Sequence, residues 1–135
     1  MAEKVYTTPL PTKLGIKEGS RVALLGAPEG SERLIEPHAV ANAARTSMDV
    51  IVLFATRLKD LTRRFPGAKR ALDAAGGLWV CYPKGTSGVE TDLTFGNVQG
   101  LGLEAGLVDN KSIAWDETWS AVRFVYRLAD RPPRA

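Results

Sequence analysis

Three short runs decide how this chain folds: Arg21-Val22-Ala23-Leu24-Leu25-Gly26, Val50-Ile51-Val52-Leu53-Phe54-Ala55 and Leu78-Trp79-Val80-Cys81-Tyr82. None alternates polar with apolar residues. Continuous apolar runs of this length, bounded by Gly, Asp or Pro, fit parallel strands covered on both faces. The segments between them carry helical signals. Ser31 or Glu36 can open a helix through Arg45, with Pro37 tolerable only near its first turn. Residues 57–65 and 67–75 read as one helical stretch broken at Pro66 and stopped by Gly76-Gly77. Strands alternating with helices predict a parallel sheet.

Outward from this core, Thr91 or Asp92 can cap a helix running to about Ala105. Gly96, Gly100 and Gly102 each weaken it by about 1 kcal/mol relative to Ala, but would let its backbone sit close against the sheet. Residues 111–115 and 121–128 then read as two strands joined by Asp116-Glu117-Thr118-Trp119-Ser120. The last alternates, with Val122, Phe124, Tyr126 and Leu128 on one face and Arg123 and Arg127 on the other. One wet face is expected of an antiparallel strand near a sheet edge. At the other end, Pro9 and Pro11 bias their neighbours toward extended geometry, while Leu10, Leu14 and Ile16 suggest a segment packed onto something. The expected organisation is an extended arm over 1–20, a Rossmann-like α/β domain over 21–129, and a flexible tail over 130–135.

Composition fits one globular domain. The chain has 135 residues, 44% hydrophobic and 24% charged, which excludes wholesale disorder and collagen-like repetition. Eighteen Lys+Arg against 15 Asp+Glu give a net charge of +3, too mild for a dedicated duplex-DNA binder. One Cys and one His exclude an intrachain disulfide and a Cys/His zinc site. The longest apolar run, 50–55, falls far short of the roughly 20 residues of a membrane span. With no charged-then-apolar leader, a cytoplasmic location is expected.

In open α/β sheets, ligands sit outside the carboxyl ends of the strands. Those ends gather Gly26 and Gly30, then Arg57, then Lys84, Thr86 and Ser87, and finally Asp116 and Trp119: the candidate ligand-binding residues. Gly26-x-x-x-Gly30 resembles half of a nucleotide-binding loop. Against a bound anion there, Pro28 removes a donor and Glu29 adds a negative charge. No acid closes the second strand to take a ribose hydroxyl. Lys84-Gly85-Thr86-Ser87-Gly88 combines a cation, mobile backbone and two hydroxyls, as a phosphate or carboxylate cradle would. Cys81 lies within an apolar strand and reads as an inert small hydrophobe. His38 reads as a helix-surface residue. Arg57, Lys59, Arg63, Arg64, Lys69 and Arg70 read as a solvated helix face rather than a nucleic-acid footprint.

The chain is similar to a small bacterial family, a domain of unknown function. The resemblance is carried by Lys13-Leu14-Gly15-Ile16-Lys17, residues 22–28 and 79–84, Asp92-Leu93-Thr94, Gly106-Leu107-Val108-Asp109, Lys111, Asp116 and Thr118-Trp119-Ser120. It covers nearly all of 6–127 and implies no activity. More distantly, the order of elements resembles a class I methyltransferase core, matching its first, fourth and fifth strands and closing hairpin. The stretch holding that family's second and third strands, with its acidic ribose contact, is missing here.

No credible acid, base, nucleophile or metal set accompanies the rim residues. The expectation is therefore a non-catalytic binding or regulatory domain that recognises a small anionic ligand or a protein partner, with no cofactor or metal and without nucleic acid or membrane. A reduced S-adenosylmethionine-dependent enzyme and an RNA-associated module are the alternatives. In methyltransferase-like order all three helices would lie on one face, which would leave the other to the arm or to a second subunit of a homodimer; a flavodoxin-like order is the alternative topology.

Overall fold

The computed structural model describes residues 8–36, 41 and 47–131. Its five-stranded sheet has the order β1-β2-β3-β5-β4. Strands β1 (Val22–Leu25), β2 (Met48–Phe54) and β3 (Leu72–Pro83) are parallel. Strand β5 (Trp119–Val125) is antiparallel to both β3 and β4 (Val108–Ala114), so β4 points the same way as the first three. The three parallel strands followed by a helix and a closing hairpin are as expected. The outermost strand of the hairpin is β4; β5 lies inside the sheet. Accordingly Arg123 is half-buried against Gly77 rather than wet, and Leu128 lies beyond the strand in a 3-10 turn, 76% exposed.

Ala41 reveals the path between β1 and β2. It forms a single parallel bridge with Ala23, whose other neighbour is Ile51 of β2. Leu24 N–H donates to the Ala41 carbonyl and Ala41 N–H donates to that of Val22, both at 2.9 Å. The chain therefore leaves β1, touches the outer edge of the sheet, and turns back to β2 on the inner side. This reversal corrects the expectation that all helices share one face. Helices α2 (Leu58–Ala71) and α3 (Phe95–Glu104) cover one side. The other side is covered by α1 (Leu10–Leu14), Ile16 and the 3-10 helix Ser31–Ile35.

Each face has its own core. Leu61, Phe65 and Ala68 of α2, at the spacing of one helical stripe, pack with Val98 of α3 onto Ile51, Leu53, Val80, Val122 and Phe124. Behind the sheet, Leu14, Ile16 and Ile35 close over Val50, Val52, Phe54, Trp79 and Cys81. Trp79 is fully buried and donates its indole N–H to the Leu14 carbonyl at 3.1 Å. Residues 10–14 of the arm are thus helical rather than extended, started by Pro11 in the first turn and ended at Gly15.

Three local expectations fail for physical reasons. Helix α2 continues through Pro66. Thr62 and Pro66 are both exposed, so the Thr62 carbonyl, left without an N–H partner, can meet water. The helix ends at Ala71, and Gly76-Gly77 lies within β3. A Cβ on Gly76 would come within 2.8 Å of the Asp49 carbonyl oxygen; the glycine is there for a close strand contact. That contact falls at the register shift between Met48 and Val50. Finally, α3 is capped by Thr94, in a reciprocal capping box with Asn97, rather than by Thr91 or Asp92. Of the segment read as a helix from Ser31 or Glu36 through Arg45, the described residues hold the 3-10 helix Ser31–Ile35 and the bridged Ala41; the rest beyond Glu36, with His38, lies outside them.

Candidate functional site

Because β1, β2, β3 and β4 point the same way, their carboxyl ends share one rim. The loops along it are tied together. Ala55 N–H donates to the Cys81 carbonyl at 3.1 Å, and Lys84 N–H to that of Thr118 at 2.8 Å. Thr91 Oγ1 donates to the Thr56 carbonyl at 2.6 Å. Phe54, the last residue of β2, meets Trp115 and Trp119 edge-on, each at 5.1 Å between ring centroids.

The candidate residues thus lie along one edge, but several are occupied in holding their own loops. Asp116 Oδ1 accepts from Thr118 N–H at 2.8 Å and Trp119 N–H at 2.9 Å, which makes it the lock of the β4–β5 turn. Ser87 Oγ donates to the Lys84 carbonyl and accepts from Val89 N–H. Arg57 pairs with Glu90 at 2.8 Å in water-exposed surroundings, a contact worth little. Thr86 is exposed and Lys84 half-buried in the same loop. Cys81 is fully buried, and burial raises its thiol well above the ordinary value, so it stays an unreactive thiol.

Gly26 and Gly30 bound a different feature. Gly26 has φ +67°, and a Cβ there would lie 2.8 Å from Arg64 Nη1 and 3.1 Å from the Phe54 carbonyl oxygen. Only glycine fits this turn. From Leu24 through this turn to Glu32 and Ala41 runs an open cleft of about 600 Å³. Among the described residues, its charged lining residues are Glu29 and Glu32.

Sequence reasoning missed Arg64. From α2 it donates Nε to Asp60 Oδ2 at 3.0 Å and Nη2 to the same oxygen at 2.6 Å and to the Phe54 carbonyl at 2.5 Å. One side chain therefore staples the end of β2 beside the turn that ends β1. The available signal was Asp60 four residues before Arg64, a helix-face pair, which reads equally well as solvated surface.

No protein-family model matches the sequence, and no curated protein matches it. Solved structures match it by shape. A TehB-like S-adenosylmethionine-dependent methyltransferase from Corynebacterium glutamicum is 16% identical, with 81% of each chain covered and a TM-score of 0.56. A protein from Sulfolobus solfataricus assigned to the type 11 methyltransferases is 12% identical, with 93% of this chain and 94% of that one covered and a TM-score of 0.61. Fibrillarin from Aeropyrum pernix, with natively bound S-adenosylmethionine, is 12% identical over 90% of this chain and 70% of that one, with a TM-score of 0.56. The fold is a methyltransferase-like Rossmann fold.

These neighbours correct two expectations. Against the expected non-catalytic binding or regulatory domain, two of the neighbours that share this fold are described as methyltransferases, the class of the alternative reading. The expectation of no cofactor likewise meets a neighbour of the same fold, the fibrillarin, that carries S-adenosylmethionine. What Glu29 disfavours depends on the ligand's charge. A carboxylate argues against a phosphate, but S-adenosylmethionine carries a sulfonium and an ammonium against one carboxylate, so an acidic cleft suits it electrostatically.

Proposed function

We propose that this chain is a reduced class I methyltransferase that binds S-adenosylmethionine at the carboxyl end of β1. The reading is carried by the reversal of the chain at β1. Such a switch point is where open α/β sheets bind ligands, and here the Gly26–Gly30 turn and the open cleft lie beside it. Bound there, the cofactor would supply an electrophilic methyl group on a sulfonium.

The residues present fit such a ligand. Backbone N–H groups of the turn can meet its carboxylate, except at Pro28, which has none. Among the described lining residues, Glu29 and Glu32 would be the carboxylate acceptors for its hydroxyls and cationic groups. Gly26 keeps the turn free of a side chain where the Phe54 carbonyl and Arg64 approach it.

Calorimetry with S-adenosylmethionine tests it. We expect a dissociation constant in the micromolar range, weakened about tenfold in the Glu29→Gln, Glu32→Gln double variant. No binding at millimolar cofactor by the unmodified protein overturns the reading.

A further inference from the structure

A second cleft lies on the other side of Gly26. Successive residues of a strand face opposite ways: Leu24 lines the acidic cleft, and Leu25 lines this one, of about 400 Å³. Leu25, Leu53 and Ala68 give it apolar walls, and Arg63, Arg64 and Arg70 project around it. One carboxylate, Asp60, offsets them, bonded to Arg63 at 2.5 Å and to Arg64 at 2.6 Å. Those bonds hold Asp60 below its ordinary pKa, with Arg64 the larger cause. Three guanidinium groups therefore face one carboxylate, and the cleft keeps a positive surplus. Arg64 also abuts Gly26, so the arginine-lined cleft adjoins the acidic one across a single turn.

We infer that this cleft is an anion site for a ligand with an apolar body and a phosphate or carboxylate group. Planar guanidinium groups match those anions in geometry and charge, and Leu25 and Pro66, the lining apolar residues with surface to offer, would cover the apolar part. The ligand is the methyl acceptor if the proposed function holds; the anion site itself stands apart from that reading. A polynucleotide fits less well, because it needs a track of cations along its backbone. Here Arg57 pairs with Glu90, and Lys69 donates to the Ala105 carbonyl, so the remaining arginines converge on one hollow.

The probe is 1-naphthyl phosphate, titrated by calorimetry at low salt beside uncharged 1-naphthol. The unmodified protein should bind the phosphate, with the naphthol at least about tenfold weaker. Arg63→Gln with Arg70→Gln should weaken the phosphate about tenfold while leaving thermal unfolding and S-adenosylmethionine binding unchanged. Both arginines are exposed, so the variant should fold. Equal affinity in the variant, no binding at millimolar probe, or binding of a short oligonucleotide without binding of the probe would each overturn the inference. Failure of S-adenosylmethionine alone, with the probe still bound, would instead count against the proposed function.

Discussion

Gly102 and Phe124 are in such close contact that a methyl group on the glycine would fall inside the ring's van der Waals surface. At Gly100, two residues earlier in the same helix, the space is open. Gly→Ala gains about 1 kcal/mol of helix propensity at either site, but only Gly102 would meet an overpacking cost of about 1–3 kcal/mol. Gly100→Ala should therefore raise the urea midpoint and Gly102→Ala should lower it, two opposite shifts in one denaturation series. The sequence placed three glycines in this helix and suggested close approach to the sheet. It could not say which one makes the contact, because that depends on the Phe124 ring arriving from a strand 22 residues further on. Asp116 shows the same limit. Its position in a rim turn was legible, but its commitment to two backbone N–H groups required the turn's geometry.

Helix α2 was legible as a helical stretch between two strand runs, though as one broken at Pro66, and its role at the site was hidden in its charges. The Asp60 carboxyl lies below its ordinary 3.8 because Arg64, and secondarily Arg63, bond its ionised form. A depressed folded pKa means stability that is present above 3.8 and is lost as pH falls through the lower folded value. Side-chain exposure of 36% screens the pair, so the contribution is roughly 0.5 kcal/mol. Asp60→Asn should thus be slightly less stable than the unmodified protein at neutral pH. The difference should vanish in acid below that window, as thermal melts across pH would show; a difference constant with pH would mean the carboxylate's charge is irrelevant. The arm, by contrast, hides its shape but not its purpose. Leu14 and Ile16 were readable as packed residues, whereas the helical turn carrying Leu14 depends on Trp79 accepting it as a cover. Leu14 is fully buried, so Leu14→Ala should cost about 2–5 kcal/mol by urea unfolding.

At the scale of the molecule, the three strands could be read from continuous hydrophobicity, their common direction from the helices between them, and the last strand from its alternation. The turn at Ala41 could not, since a single bridged residue leaves no run to recognise. That one residue decides which faces the helices take, and with them the case for a second subunit. A partner is needed only where a face of the sheet lies bare. Here α1, Ile16 and the 3-10 helix close one side, while α2 and α3 close the other. Among the described residues, the large exposed apolar ones are Leu34, Val89 and Leu128 on separate segments and Phe95 and Leu103 on α3, none of them on the sheet. The outer strand β4 presents Asp109, Asn110, Lys111 and Ser112, polar and charged groups that discourage edge-to-edge pairing. Sedimentation velocity should therefore show a single species of one chain at micromolar concentration. A dimer would require an interface away from both sheet faces, and substitution of Leu103 with Glu would show whether α3 supplies it.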